Sequence, residues 1–400
     1  MKELRKLLIF TVTVGLACAF SVACGGGSHS GTQNTIVTSG TNVAPVSVNL
    51  GPAASDGFPS VNAAFVSVTV CVPGTSNCKT IDNVLVDTGS SGLRILSSEF
   101  SLPLPQQNAS DGNPVYECFP FVSGYTWGPV QTADVEIAGE KASSTTIEVI
   151  GTSITPPTGC LNFGLPPSNN VDSLRANGIL GIGLAAQDCG PGCPTSIYYE
   201  CPASGSCQGI SESLAQQLQN PVTLFATDNN GVIIELPAVP AAGEASVSGS
   251  LVFGIGTQSN NGLSGAKVYT ADGSGNFTTT LNGTPYSQSF IDSGSNGFFF
   301  PSTITQCPRS SNEPGFYCPA STQKLSATNQ GANSVSGTVS FSVADAATLF
   351  TNPNDSAFSD LGGTFSGAFD WGLPFFYGQN VFVAIEGAST PGGPGPYWAY

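Results

Sequence analysis

The sequence contains 400 residues, of which 26 are Asp or Glu and 10 are Lys or Arg, giving a formal net charge of −16 at pH 7. Such an acidic chain disfavours a nucleic-acid partner, because phosphate backbones bind basic surfaces. The single histidine, His29, excludes a Ser-His-Asp triad, a Cys-His pair and an H-E-x-x-H zinc helix. Any acid–base chemistry must therefore use carboxylates, which need neither a metal nor an organic cofactor.

The composition favours short strands. The chain contains 49 Gly and 29 Pro with 9% charged residues, which predicts many turns between short strands. Long amphipathic helices are scarce, and the spacing of Leu214 and Leu218 predicts one short helix over residues 210–218.

Residues 1–23 are predicted to be a lipoprotein signal peptide. Three basic side chains precede an apolar run over residues 7–20, which is too short to span a membrane. Small residues then lead to Cys24, where we expect cleavage and attachment of a diacyl, palmitate-type lipid that anchors the protein. The alternative is an ordinary signal peptide that is cut nearby and leaves Cys24 free.

Residues 24–57, rich in Gly, Ser, Thr and Asn, are predicted to be a flexible tether. The expected location is therefore the bacterial envelope, with the protein exported and held by its lipid at the outer membrane, facing the periplasm or the exterior. We expect a monomer whose partners are this membrane and a peptide or protein substrate.

Ten of the twelve cysteines remain after Cys18 in the signal and Cys24 at the anchor are set aside. An even number in an exported protein predicts disulfide bonds. Close spacing predicts two local bridges and elimination predicts a third: Cys71–Cys78, Cys307–Cys318 and Cys118–Cys160. The other four crowd one Gly- and Pro-rich loop, in which their pairing is open: Cys189, Cys193, Cys201 and Cys207. A zinc site is the alternative for this loop.

One sequence pattern occurs twice in the chain. Residues 84–93 read VLVDTGSSGL and residues 289–298 read SFIDSGSNGF, so both place an apolar segment before Asp-(Thr/Ser)-Gly-Ser and a second glycine. Each copy is followed downstream by an apolar segment with a glycine, over residues 177–183 and 369–376. The chain therefore contains two copies of one unit, each with an aspartate at the end of a predicted buried strand.

The two aspartates, Asp87 and Asp292, are the candidate catalytic residues. Each leaves its strand on a tight turn in which a glycine lets the backbone approach the carboxylate and point an amide hydrogen at it. The serine hydroxyls can hydrogen-bond the outer carboxylate oxygens, and the remaining hydroxyls can join the two turns. These supporting residues are Thr88, Gly89 and Ser90 in the first turn and Ser293, Gly294 and Ser295 in the second.

This pair of motifs resembles that of the pepsin-like aspartic peptidases, in which each lobe contributes one such turn. The resemblance covers nearly all of the chain beyond the tether, and it is closer still to an uncharacterised family of bacterial lipoproteins carrying the same D-T-G-S and D-S-G-S turns. It implies a mostly β, bilobal fold with two pseudo-symmetric β lobes and a cleft between them. The expected lobes are residues 58–240, with Asp87, and 241–390, with Asp292. A Pro- and Gly-rich tail over 391–400 would hang loose or dock through its aromatic residues.

Two positions depart from the pepsin-like pattern. Arg94 stands where that family commonly has Trp, and Phe121 stands where its flap hairpin carries Tyr. Alignment with that hairpin places Phe121, Tyr125 and Trp127 at the flap or cleft, with Trp127 at an exposed tip that touches ligand. Arg94 is also placed at the flap or cleft, where it could neutralise a substrate carboxylate, but a structural ion pair is its expected role.

The resemblance implies an envelope-anchored aspartic-type endopeptidase. A carboxylate pair that shares one proton would activate a water molecule with its ionised member and polarise the scissile carbonyl with its protonated member. An extended peptide or protein substrate would lie in the cleft between the lobes. The alternative is a catalytically inactive pepsin-like scaffold that binds peptide or glycan at the cell surface.

Overall fold

The fold is mostly β, with few and short helices. The computed structural model describes residues 35–311 and 313–400, and these belong to one compact unit, Asn34–Tyr400. The predicted signal peptide, the lipidated Cys24 and the start of the predicted tether lie outside the described residues, so those assignments remain predictions.

The first half of the described chain contains eleven strands. Val, Ile and Thr are frequent in them, and such β-branched side chains pack well on a pleated surface that is buried on one or both faces. The strands are β1 (Val43–Val48), β2 (Ala64–Cys71), β3 (Cys78–Asp87), β4 (Ser91–Leu96), β5 (Val115–Pro120), β6 (Tyr125–Ile137), β7 (Glu140–Ile150), β8 (Gly178–Ile182), β9 (Tyr198–Glu200), β10 (Gln208–Ile210) and β11 (Gly231–Leu236).

The second half of the described chain contains thirteen strands, several of only two or three residues. Gly, Pro and Asn between them supply the turn conformations that so many short strands require. They are β12 (Val247–Phe253), β13 (Val268–Thr270), β14 (Phe277–Leu281), β15 (Thr284–Ile291), β16 (Phe298–Phe299), β17 (Gln323–Gln330), β18 (Ser336–Val343), β19 (Gly362–Gly363), β20 (Asp370–Trp371), β21 (Gln379–Ala384), β22 (Ser389–Thr390), β23 (Gly393–Pro394) and β24 (Tyr397–Ala399).

The helices are single turns. The α-helices are α1 (Thr158–Leu161), α2 (Val171–Leu174) and α3 (Ala346–Leu349), and 3-10 turns occur at Ser97–Glu99, Pro221–Leu224 and Leu373–Phe376. Within the described residues, no helix has the length and apolar character needed to span a bilayer.

The helix predicted over residues 210–218 is wrong. After β10 the segment forms a turn in which the amides of Gln216 and Gln217 both donate to the carbonyl of Ser213. Leu218 is fully buried whereas Leu214 is exposed, so the two leucines do not share the apolar face on which the prediction depended.

A sheet of fifteen strands runs through both halves of the sequence, in the order β10-β9-β5-β6-β7-β4-β8-β3-β2-β1-β12-β11-β21-β24-β13. In the first half it curls into a barrel-like shape, because β6 pairs with β7 on one side and with β2 on the other. The expected lobe boundary near residue 240 falls between β11 and β12, which pair with each other. The two halves are therefore joined by continuous sheet.

The sequence repeat corresponds to a repeat in strand pairing. In the first half, β3 runs parallel to β8, which is antiparallel to β4. In the second half, within a separate sheet of seven strands, β15 runs parallel to β20, which is antiparallel to β16. Each aspartate turn is therefore held in the same way, between its own strand and the strand of the downstream glycine motif.

The N-terminal end of the described chain is more ordered than predicted, and the C-terminal end adopts one of its two expected arrangements. The tether was expected to extend to residue 57, but Val43–Val48 forms β1 and pairs with β12 along its whole length. Its apolar residues are buried there, which the Gly- and Ser-rich surroundings concealed. At the other end, residues 391–400 dock through their aromatic side chains, since Tyr397 and Trp398 on β24 are buried against β21.

An aromatic cluster forms much of the core of the second half. Phe298, Phe300, Phe341, Phe369 and Trp371 are all buried, and their rings stack or meet edge to face. Burial of each ring stabilises the fold by roughly 2 to 3 kcal/mol relative to exposure. The cluster packs directly behind the second aspartate turn, because Trp371 lies on β20 beside Ile291.

All ten cysteines expected to pair form disulfide bonds. The three predicted bridges, Cys71–Cys78, Cys118–Cys160 and Cys307–Cys318, are present. In the crowded loop the pairs are Cys189–Cys193 and Cys201–Cys207. The zinc alternative for this loop is wrong, because a metal site requires thiolates and all four sulfurs are taken up in bridges.

Candidate active site

The two candidate aspartates meet at the same point. Asp87 is the last residue of β3, and Asp292 directly follows β15. A Cβ atom placed on Gly89 would lie 2.7 Å from Oδ1 of Asp292, and one placed on Gly294 would lie 2.6 Å from Oδ1 of Asp87. Each glycine thus faces the carboxyl of the opposite turn, and only a residue without a side chain fits there.

Each turn holds its own carboxylate in the same way. The amide of Gly89 donates to Oδ1 of Asp87 at 2.8 Å, and the hydroxyl of Ser90 donates to Oδ2. In the second turn the amide of Gly294 donates to Oδ1 of Asp292 at 2.8 Å, and the hydroxyl of Ser295 donates to Oδ2 at 2.8 Å. These bonds fix both side chains with an oxygen pointing at the other aspartate.

Thr88 and Ser293 lock the turns to each other. The Thr88 hydroxyl donates to the carbonyl of Ile291 at 3.0 Å and accepts from the amide of Ser293 at 2.9 Å. In return, the Ser293 hydroxyl donates to the carbonyl of Val86 at 2.7 Å and accepts from the amide of Thr88 at 3.1 Å. Both side chains are buried, and each such bond adds about 1 kcal/mol of net stability.

Electrostatics prevent both carboxyls from ionising together. Burial, followed by the neighbouring charge of Asp292, raises the pKa of Asp87 to about 8. A hydrogen bond between the two carboxyls acts in the same direction. Up to about pH 8 the two carboxyls therefore do not both ionise, so one member is available as a base and the other as an acid.

A cleft of about 610 Å³ opens at the aspartate pair. Its walls come from both halves of the chain: the residues just after β5, the segment Gly183–Ala185, the loop Asp272–Asn276 and the C-terminal segment with Trp398. Five carboxylates line it and, among the described lining residues, there is no Lys or Arg: Asp87, Asp188, Asp272, Asp292 and Glu386. Its walls therefore favour neutral or cationic ligands.

The β5–β6 hairpin forms one wall of the cleft. Phe121 and Ser123 at its tip line the cavity, together with Val122, which is 74% exposed. Exposed apolar side chains at a hairpin tip can cover a bound ligand. The sequence-predicted position of Phe121 at the cleft agrees with this lining.

A family model described as "Protein of unknown function (DUF3443)" matches residues 38–400. The chain belongs to this family. No curated protein matches the chain. The family description assigns no activity, so the chemistry has to be inferred from the side chains of the site.

In this DUF3443 protein Trp127 does not lie at the hairpin tip. It stands within β6 and is 4% exposed, its ring is stacked on Tyr116, and its Nε1 donates to the carbonyl of Ile154 at 2.9 Å. Tyr125 is also buried and is absent from the described cleft lining. The predicted ligand contact of these two residues is therefore wrong, because both are buried in a cluster with Tyr116, Tyr199 and the Cys118–Cys160 bridge.

Arg94 lies behind the cleft wall. It is fully buried and forms ion pairs with Glu117 at 2.8 Å, Asp188 at 3.2 Å and Glu148 at 3.3 Å. Its guanidinium also lies 4.0 Å from the ring centre of Phe119. The expected structural ion pair is confirmed, and Arg94 does not line the cleft, where a substrate carboxylate would bind.

Sequence reasoning missed the three carboxylates around Arg94. Burial and then the charge of Glu117 raise the pKa of both Glu148 and Asp188 well above the usual range. The available signal was Arg94 itself, since an arginine between Leu93 and Ile95 in an apolar strand requires acidic partners when it is buried.

Candidate metal ligands are scarce among the residues that the structure describes. Within the described residues, one group of candidate ligands occurs, Cys307, Cys318 and Asp345. The two cysteines form a disulfide bond and supply no thiolate.

Proposed function

We propose that the protein is an aspartic endopeptidase with a pepsin-like, bilobal fold. The observation that carries the proposal is the close approach of Asp87 and Asp292, each facing the glycine of the opposite turn. The matching strand pairing around both turns supports the two-lobed architecture. A cleft with the carboxyl pair on its floor, lined from both halves, supplies a place for an extended chain.

The mechanism follows from one shared proton. A water molecule between the carboxyls loses a proton to the ionised aspartate and attacks the scissile carbonyl carbon. The protonated aspartate donates a hydrogen bond to the carbonyl oxygen, where negative charge develops. The proton gained from water then passes to the leaving amine, so the pair returns to its starting state.

The cleft favours peptides without acidic side chains at the subsites. Asp272 and Glu386 lie on its walls, and an acidic substrate residue there would meet like charge at short range. The Phe121 ring and exposed Val122 offer apolar contacts. We propose extended peptides with neutral, apolar or basic residues as the substrate class.

The cellular setting is part of the proposal. The protein is exported, held at the bacterial envelope by a lipid on Cys24, and acts there as a monomer on peptides or unfolded proteins. Five disulfide bonds support an oxidising compartment.

The direct test is cleavage by residues 34–400, a form that keeps β1 and the whole compact unit. Two peptides that differ only by Lys or Glu beside an apolar pair are incubated between about pH 3 and pH 7. Cleavage should be faster for the Lys peptide. It should fall by at least about a thousandfold in Asp87→Asn and in Asp292→Asn. The exposed Asp82→Asn on the same strand as Asp87 is the matched control and should retain full activity.

The same experiment separates the peptidase from a binding scaffold. Peptides or glycans that remain intact while binding measurably in the cleft would support the inactive pepsin-like scaffold. Cleavage that persists in both aspartate variants would contradict the proposed mechanism.

A further inference from the structure

The backbone of each aspartate turn is held at the carbonyl three residues after the aspartate. In the first turn the carbonyl of Ser90 accepts from the amide of Gly183 at 2.8 Å. In the second turn the carbonyl of Ser295 accepts from the amide of Leu373 at 2.7 Å. Both donors belong to the downstream glycine motif, so this contact lies within each copy of the repeated unit.

The next carbonyl along each turn is held by a buried side chain instead. In the first turn the carbonyl of Ser91 accepts from Nη1 of Arg94 at 2.9 Å. In the second turn the carbonyl of Asn296, four residues after Asp292, accepts from Nδ2 of Asn62 at 2.9 Å. Both donor side chains are fully buried, so each turn is held from the interior of the protein.

Asn62 uses the full hydrogen-bonding capacity of its side chain, which is two donor hydrogens and two acceptor lone pairs. Its Nδ2 donates also to the carbonyl of Phe358 at 2.9 Å. Its Oδ1 accepts from the amide of Phe358 at 2.7 Å and from the hydroxyl of Tyr377 at 2.8 Å. The side chain thus joins the second aspartate turn to two other segments of the second half.

The position of Asn62 in the chain gave no sign of this contact. It lies between β1 and β2 in the first half, outside both copies of the motif. Its φ of +48° is in the left-handed region, which Asn adopts more readily than most residues. Gly adopts it without strain and Asp tolerates it, so these two substitutions change the side chain with little cost to the backbone.

We propose that Asn62 is a positioning residue for Asp292. Its bond to the carbonyl of Asn296 fixes the far end of the second turn. Within that turn the amide of Gly294 and the hydroxyl of Ser295 both donate to Asp292. The distance between the two candidate catalytic aspartates therefore depends on a side chain that is outside the repeat. The inference deepens the proposed peptidase function and rests on it for its kinetic test.

The kinetic test uses two substitutions of Asn62. Asn62→Gly removes all four side-chain bonds, whereas Asn62→Asp keeps the two accepted bonds and loses the two donated ones. Each should lower kcat by roughly tenfold to a hundredfold, because a small displacement of a catalytic group is enough for such a loss. KM should change little, since Asn62 does not line the cleft.

Asn42 provides the matched control. It is also fully buried, its Nδ2 donates to the carbonyl of Phe253 at 2.9 Å, and its side chain exchanges hydrogen bonds with Asn260. Among the hydrogen bonds of the described residues, none joins Asn42 to an aspartate turn. Asn42→Gly should therefore lower thermal stability and keep the kcat and KM of the parent protein. An equal loss of kcat in Asn42→Gly and Asn62→Gly would overturn the proposal.

A second readout does not depend on turnover. The charge of Asp292 and its hydrogen bond raise the pKa of Asp87, so a turn that moves Asp292 away should lower it. Carbon-13 NMR titration should place the Asp87 carboxyl at a lower pH in both Asn62 variants than in the parent protein. Asn42→Gly should titrate like the parent protein.

An Asp87 titration that is unchanged in a folded Asn62 variant would overturn the proposal, whether or not kcat falls. If Asn62→Gly does not fold, Asn62→Asp gives the reading, because it keeps half of the side-chain bonds. If no peptide is cleaved by the parent protein but the titration shifts as expected, the proposed function fails while the positioning role of Asn62 stands.

Discussion

The four hydroxyl side chains around the two aspartates have different hydrogen-bond partners. Ser90 and Ser295 bind the outer oxygens of the aspartates within their own turns, and Thr88 and Ser293 bind across to the opposite turn. The first pair supports the ionised form of the carboxyls, and the second pair fixes the separation of the turns. Because each hydroxyl has a distinct partner, the motif is sensitive to single-atom changes.

The high pKa of Asp87 predicts a pH-dependent stability. The folded protein holds a proton on Asp87 up to about pH 8, whereas the unfolded chain releases it near the usual pKa of about 4. Folding therefore binds a proton between these values, so the free energy of unfolding falls as pH rises through this window. Each unit of difference between the folded and unfolded pKa corresponds to about 1.4 kcal/mol of unfolding free energy.

Asp87→Asn should remove this contribution. Relative to the parent protein, the variant should become more stable by several kcal/mol between pH 4 and pH 8, as measured by urea unfolding at a series of pH values. Asp82→Asn, whose side chain is exposed, should follow the parent curve. Parallel curves for Asp87→Asn and the parent protein would show that Asp87 ionises normally in the folded state.

At the scale of elements, the buried charge cluster around Arg94 joins the β5–β6 hairpin to the neighbouring strands β4 and β7. Glu117 lies on β5, Glu148 on β7 and Arg94 on β4, so one guanidinium joins three strands. Asp188 extends the cluster to the cleft wall and accepts from the hydroxyl of Tyr198 at 2.8 Å.

Arg94→Met should destabilise the fold by about 3 to 5 kcal/mol at pH 7, because it leaves buried carboxylates without a cation. The loss should shrink toward pH 4, where the carboxyls can protonate. Arg175→Met is the control, since Arg175 pairs with Asp56 at the surface and such pairs contribute about 0 to 1 kcal/mol. Equal losses in the two variants, measured by urea unfolding, would show that the buried cluster contributes no more than a surface pair.

Sequence patterns predicted the local elements better than the distant contacts. The aspartate turns and two of the disulfide bridges could be read from motifs and spacing that lie close together along the chain, and the Cys118–Cys160 bridge followed by elimination. The partners of Arg94 could not, because Glu117 and Asp188 are brought to it by pairings across the sheet. Trp127 was misplaced because it lies on β6 a few residues beyond the hairpin tip, where its ring is buried against Tyr116 and Tyr199.

At the scale of the whole molecule, the two copies of the motif together predicted that Asp87 and Asp292 meet, which neither copy would predict alone. One Asp-Thr-Gly turn is ordinary turn chemistry, but two copies in matched strand pairings bring distant residues to one point. Segments outside the repeat were harder to predict. Val43–Val48 and Tyr397–Ala399 complete the sheet that joins the halves. The flanks of the first segment gave no local sign of this, whereas the aromatic residues of the second left docking as one of two expectations.

The central claim is that Asp87 and Asp292 share one proton, and carbon-13 NMR titration of labelled aspartate carboxyls tests it most directly. In the parent protein the Asp87 signal should titrate near pH 8. In Asp292→Asn it should titrate at a clearly lower pH, still above the usual range, because the neighbouring charge is gone while burial remains. An Asp87 signal that titrates near pH 4 in both proteins would contradict the account.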